Sequence, residues 1–370
     1  MKTKELTAKN FDWINIKKGD AKVILNNALD EIKRDIQKIK AIKEEDRTFE
    51  NTIEAFEYLG ETGSEKMRYI EFLMNVHTDR AVVDEISKVV SEYTERTIEL
   101  IYDEGLFRAF VEYKNKREKL DGERKILFED TVKSFKRMGF ELSRKDREKL
   151  KKNRQKISKF SLSYEQNLNR YQDFITLNKV DAIGLPQNIL DRFNKDKNGN
   201  YIVTLDYPEI GPFLEFSPND KKRKEISNKN LKKGGKRNLQ LIKEIVKLRN
   251  ENAKILGYKT HAHFVIEERM AKTPEDVYKF INPLIKKLNK IYKEENKKVL
   301  DVKTELKGVK QKGVTYYDGY YRAELSRRSL GFSSEDVRPY LSLQNVLDTL
   351  FGVYSKILGV EFRENKNIPT

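Results

Sequence analysis

The chain holds three imidazoles, at His77, His261 and His263. Imidazole is the side chain best suited to binding transition metals and moving protons near neutral pH. His261 and His263 stand two residues apart, so on a helix they point to different faces, whereas on a loop or strand they can converge. They follow Gly257-Tyr258, and Glu267 and Glu268 come shortly after them. If they converge, the two imidazoles are a candidate metal site. A surface or helix-capping role for the histidines is the expectation we adopt against it, with both glutamates solvated rather than catalytic. Cysteine is absent, which rules out thiolate ligands and disulfides in this chain. Gly234-Gly235-Lys236-Arg237 lacks the spacing of a phosphate-cradling loop and reads as an ordinary turn. There is no dinucleotide fingerprint and no Gly-x-Ser-x-Gly elbow.

The elements around these residues are mostly helical. Leu25, Ala28, Leu29, Ile32, Ile36, Ile39 and Ile42 alternate three- and four-residue steps, which predicts an amphipathic helix. Thr48 is placed to cap the next one, with Phe49 and Ile53 packing inward and Phe56 and Leu59 continuing the stripe. Val82 to Tyr93, Leu106 to Tyr113, and Leu127 to Met138 closed by Gly139 predict three more. Ser143 with Asp146 opens a long charged helix with an expected inner face of Leu150, Ile157, Phe160, Tyr164 and Leu168. Residues 1–22, with Trp13, read as an irregular lead-in.

After residue 160 the texture changes. Phe174-Ile-Thr-Leu177 is strand-like, a short helix is expected from Ile189 to Phe193, and Asn198-Gly199 is a tight-turn signal. Tyr201 to Tyr207 reads as a strand stopped by Pro208, followed by a turn-rich charged stretch through Pro218, Gly234 and Gly235. From Asn238, the apolar positions Leu241, Ile245, Leu248, Ala253 and Leu256 form a helical stripe ended at Gly257. Thr273-Pro274-Glu275-Asp276 then carries a cap, a first-turn proline and acids suited to the positive helix end. That helix runs through Leu284, Leu288 and Tyr292 into a Lys/Glu-rich segment, and another follows Tyr316-Tyr317-Asp318-Gly319. A last one runs from Leu343 through Leu350 and Tyr354 to Leu358-Gly359, before a strand-like Val360-Glu361-Phe362. No fixed-period repeat is present, which argues against a solenoid.

Taken in order, Asn238, Leu248-Arg249, Ala253, Leu256-Gly257-Tyr258, Met270-Ala271 and Thr273-Pro274 resemble the thimet oligopeptidase family of zinc metallopeptidases, which includes oligopeptidase A and dipeptidyl carboxypeptidase. Thr48-Phe49-Glu50-Asn51-Thr52 is similar to an element at the start of an early helix in that family, and so is the approach from Leu177 through Gly184-Leu185-Pro186 to Asp206-Tyr207-Pro208. Where the family usually has Trp-Asp, two residues, then Tyr, this chain has Tyr317-Asp318 with Tyr321, a ring change that alters one packing contact. The resemblance implies a mainly α, elongated, neurolysin/thimet oligopeptidase-like architecture with a small β-hairpin near 174–206, here incomplete. It divides the chain into an N-terminal helical domain, 1–160, and the upstream part of the peptidase catalytic domain, 161–370, with helices to residue 359.

The family's chemistry requires His-Glu-x-x-His. Two histidines one turn apart hold zinc from one helix face, and the glutamate activates the metal-bound water. None of the three histidines begins that motif. The resemblance therefore implies the N-terminal part of an oligopeptidase that hydrolyses short peptides, forming a wall of its substrate channel. Zinc would belong to the complete enzyme, and the chain alone would be inactive. We accordingly assign no catalytic and no metal-ligating residue here, and the substrate-binding residues are unknown. The partners implied are oligopeptides and a second chain or C-terminal half bearing the motif, docked on an exposed apolar face.

The totals bound the alternatives. Charged residues make up 36% of the 370 and hydrophobic ones 38%, with a mean hydropathy of −0.76. That composition suits a helix-rich body with charged outer faces. It contains no long apolar run and no apolar leader after Met1-Lys-Thr-Lys-Glu, so no membrane partner and a cytoplasmic location are expected. The net charge of +16 raises a basic nucleic-acid binder as an alternative. The runs Lys145–Lys159 and Lys221–Arg237 lack the interleaved aromatics of a single-strand binder, so solvated helix faces are the expectation and no specific nucleic acid is. A non-catalytic peptide-binding or scaffold module is the other alternative.

Overall fold

The computed structural model describes residues 15–364. Trp13, most of the expected lead-in and the residues after 364 lie outside that range. The first helix, α1 (Asp20–Ala41), already begins inside the stretch read as irregular. A π-turn (Phe49–Glu54) runs into α2 (Ala55–Glu57). There follow α3 (Glu61–Val76), α4 (Arg80–Ile101), α5 (Glu104–Asn115), α6 (Gly122–Met138) and α7 (Arg144–Asn169). Strand β1 (Phe174–Leu177), α8 (Gln187–Leu190), β2 (Asn194–Lys195) and β3 (Tyr201–Thr204) lead to α9 (Tyr207–Phe216) and α10 (Asp220–Leu231). Then come α11 (Gly235–Ile255), α12 (His261–Ile266), α13 (Pro274–Lys307), α14 (Gly319–Leu330), α15 (Ser334–Val337) and α16 (Leu343–Leu358). The architecture is mainly helical with one small antiparallel sheet.

The chain forms two compact units. Among the described residues, the first comprises 15–166 with 237–273, and the second 167–236 with 274–364. The first is an all-helical body. The α1 stripe is buried from Leu25 to Ile39, and Ile42 sits just past the helix end. Leu25, Ala28 and Leu29 pack with Met67 and Ile70 of α3 and with Val82 and Ile86 of α4. Helix α3 carries no clear sequence signal, because Gly60 and Gly63 look like loop residues. In the structure they serve the packing. Gly60 is left-handed, with φ of 62°. A Cβ built on Gly63 would stand 2.6 Å from the Ala28 Cα, so glycine is what lets α3 come down onto α1.

Thr48 caps the π-turn as expected, forming a reciprocal pair with Asn51: each backbone N–H donates to the other's side chain. Phe49 and Ile53 are buried behind it. Around them Phe107, Phe110, Phe135 and Phe140 form an aromatic cluster, with ring centroids 4.6 Å apart for Phe107–Phe140 and 4.7 Å for Phe110–Phe135. Gly139 ends α6 at φ of 89°. The inner face expected for α7 is only partly realised, with Leu150 and Asn153 buried while Ile157, Phe160, Tyr164 and Leu168 are half-buried.

In the second unit the sheet has the order β1-β3-β2. Phe174 pairs with Thr204 and Leu177 with Tyr201, all antiparallel, and the short β2 pairs with β3 across the Asn198-Gly199 turn. Ile175, Leu177 and Val203 face Ile210, Phe213 and Ile226 in one core. The turn-rich reading of the stretch after Pro208 is overturned, because α9 and α10 occupy it. Pro208 falls in the first turn of α9, where its missing N–H has no helical partner to lose, and Asn219 caps α10 by accepting from the Lys222 N–H at 3.2 Å. Val360-Glu361-Phe362 is likewise not a strand. Three extended residues with no neighbouring strand among the described residues gain no ladder hydrogen bonds.

Candidate functional site

The histidines and glutamates singled out by type are engaged in helix capping and ion pairing. His261 and His263 open α12, and the Thr260 hydroxyl accepts from the His263 N–H while lying 2.8 Å from His263 Nδ1. On a helix the two rings diverge, which is the geometry of a cap and not of a ligand pair. Burial, then the charge of Arg249, pushes the His261 pKa below its usual value. Glu267 and Glu268 are exposed, and both pair with Arg137, at 2.8 and 3.1 Å. The guanidinium of Arg137 lies 3.8 Å from the Phe264 ring centroid and donates to the Phe264 carbonyl, so it clamps α12 onto α6. His77 ends α3, where its Nδ1 accepts from the Asp79 N–H at 3.0 Å. Among the described residues no group of three or more His, Asp or Glu could hold a metal ion.

The basic runs are partly tied down as well. Arg147 pairs with Glu104 at 2.8 Å, Lys229 with Asp173 at 2.7 Å, and Lys233 donates to the Leu205 carbonyl. Gly234 and Gly235 are both left-handed and join α10 to α11.

Two features of the second unit were not reached from residue type. The first is a buried charge network joining α9, α10, α13 and α14. Arg223 is fully buried. It donates from Nε to the Tyr317 carbonyl at 2.9 Å, and from its two terminal nitrogens to the Ser217 carbonyl and to Asp220. Asp220 also accepts from the Tyr321 hydroxyl at 2.9 Å and pairs with Lys307 at 2.9 Å. Beside it Lys303, 6% exposed, pairs at 2.8 Å with Asp318, 0% exposed, whose same oxygen accepts from the Thr315 N–H. Asp318 comes from the Tyr317-Asp318 step, which was the available signal: its aspartate closes an ion pair while the Tyr317 ring stacks edge-on against Tyr316 at 5.1 Å.

Burial would raise the Asp220 pKa, but Lys307, Tyr321 and Arg223 together hold it below the usual carboxylate value. Burial would lower the Lys307 pKa, and the Asp220 carboxylate overrides it and raises the net value. The depressed carboxylate stabilises the fold above its unfolded pKa of about 3.9, and that contribution is lost as pH falls through the folded value. The raised ammonium stabilises below its unfolded pKa of about 10.4, and its share is lost as pH rises through the folded value. Lys307→Gln is therefore expected to lower the thermal midpoint between those limits and to flatten the loss of stability on acidification. A midpoint–pH curve parallel to that of the unsubstituted chain would contradict the linkage.

The second feature is exposed apolar surface. No residue of α16 is buried, and Leu343 and Ile357 are 75% and 71% exposed, with Val346, Leu350 and Tyr354 also open. Helix α13 buries Val299, Val302 and Lys303, all in its last third. Its earlier turns present Ile281, Leu284, Ile285, Leu288, Ile291 and Tyr292 to solvent. Exposed apolar rows of that length are uncommon on soluble monomers. No helix among the described residues is long and apolar enough to cross a membrane.

Comparison with known proteins bears on most of the chain. The pattern of Peptidase family M3 matches residues 213–370. The thimet-like oligopeptidase of Dictyostelium discoideum is 28% identical over 350 residues, covering 89% of this chain and 51% of its own length. Saccharolysin of Saccharomyces cerevisiae is 27% identical over 317 residues, 80% of this chain and 44% of its own. Oligopeptidase A of Haemophilus influenzae is 25% identical over 289 residues, 72% and 41%. The chain spans about half the length of the curated relatives it matches.

Proposed function

From its similarity to Peptidase family M3 over residues 213–370 and to oligopeptidases along most of its length, we propose that this chain is the upstream portion of a zinc-dependent oligopeptidase. In that role it forms a wall of the channel that admits short peptides, while the residues that hold zinc and cleave the peptide bond lie in a segment outside these 370 residues. The observation that carries this reading is the partial coverage: relatives align along most of this chain but over only about half of themselves, and the sequence contains no His-Glu-x-x-His. The side chains nearest to a metal set, His261, His263, Glu267 and Glu268, are engaged in a cap and an ion-pair clamp, which supports locating the reaction centre elsewhere. The cytoplasm is the compartment we assign.

The test is elemental analysis and a quenched-fluorescence peptide assay on the 370-residue chain, alone and co-produced with the segment encoded next to it in the source genome. Alone it is expected to hold well under one zinc per chain and to show no turnover above the blank. With a neighbouring segment that bears His-Glu-x-x-His, it is expected to gain chelator-sensitive cleavage of short peptides. One tightly held zinc per isolated chain, or the absence of any such segment in the source genome, would overturn the proposal.

A further inference from the structure

We propose that the open faces of α13 and α16 are the seat of that motif-bearing segment, and that the part of it meeting α13 is an apolar strip. The inference rests on the reading above and deepens it by naming the surface and the chemistry of its occupant. Both helices fall inside the family-matched stretch, 213–370. About half of the relatives' length has no counterpart in this chain, which supplies an occupant of ample size. The two faces also differ in kind from the remaining surface. On α11 an open stripe of Leu239, Ile242 and Val246 runs along a helix whose other side, with Ile245 and Leu248, is buried. Helix α16 has no buried side at all, and α13 has none before Val299. An amphipathic helix of 16 residues draws most of its stability from packing its apolar face, so α16 is incomplete as it stands.

At 3.6 residues per turn, Lys286, Lys290 and Lys293 fall on the side of α13 away from its apolar row, so the open face itself offers apolar contact and selects an apolar strip on its occupant.

The experiment measures association of the 370-residue chain with the neighbouring motif-bearing segment by titration calorimetry and by cleavage rate. Ile285→Glu and Leu350→Glu are each expected to weaken binding at least tenfold, and a Lys286→Gln/Lys290→Gln pair, on the far side of α13, to leave it unchanged. Leu239→Glu on α11 is expected to leave binding unchanged. Circular dichroism and the thermal midpoint of each variant alone separate lost docking from lost folding. If α13 and α16 variants bind normally while Leu239→Glu does not, the seat is wrong and the split-peptidase reading survives. If the unsubstituted chain dimerises and Leu350→Glu makes it monomeric, the occupant is a second copy and the proposal fails. If the unsubstituted pair neither binds nor cleaves, both fall together.

Discussion

Asp318→Asn is expected to destabilise the second unit by about 3–5 kcal/mol, the usual cost of leaving one member of a buried ion pair without its partner. The ammonium of Lys303 is buried with Asp318 as its ion partner, and its other contact is the Gly313 carbonyl at a long 3.4 Å. The substituted amide still accepts from the Thr315 N–H, so what is removed is charge compensation and little else. Pairing the change with Lys303→Met takes the orphaned charge away, and the double variant is expected to lose less than the sum of the singles. Urea unfolding followed by hydrogen exchange in α14 reads this out, and strict additivity would show that the pair is energetically inert.

Gly63→Val is the second large effect, about 3 kcal/mol against the first unit, at the upper end of what overpacking a core costs. The first added carbon already meets the Ala28 Cα at 2.6 Å and Ala28 Cβ at 2.8 Å. Backbone cannot rotate aside as a side chain can, so α3 must lift from α1 and open the layer in which Leu25 and Leu29 meet Met67 and Ile70. Ala28→Gly relieves only the Cβ contact and is expected to recover a fraction of the loss. A thermal midpoint within a degree of that of the unsubstituted chain would mean that the two helices slide at no cost.

These two sites also mark where the sequence was and was not legible. Stripes such as Leu25 to Ile39 announce themselves because burial on one helix face imposes a three- and four-residue rhythm. Gly257 at φ of 84°, with the Tyr258 N–H reaching back to the Ala253 carbonyl at 2.8 Å, is a helix stop that glycine's freedom makes readable. Helix α3 was hidden because Gly63 is there for close approach, a tertiary reason that mimics a local breaker. Helices α9 and α10 were hidden by prolines and charges whose roles are set by neighbours distant in the chain, with Arg223 meeting Tyr317 and Asp220 meeting Lys307. At the candidate site, the sequence reading gave His261 and His263 a surface or helix-capping role, and Thr260 as the cap itself was not singled out. Arg137 as the partner of Glu267 and Glu268 was out of reach, being more than a hundred residues away along the chain.

Helix α13 has 34 residues, about 50 Å at 1.5 Å per residue, and its buried side chains are gathered at one end. Mechanically it is a boom stepped at its heel. A load at the tip is borne by the few side chains at the heel, among them the Lys303–Asp318 pair that fastens it.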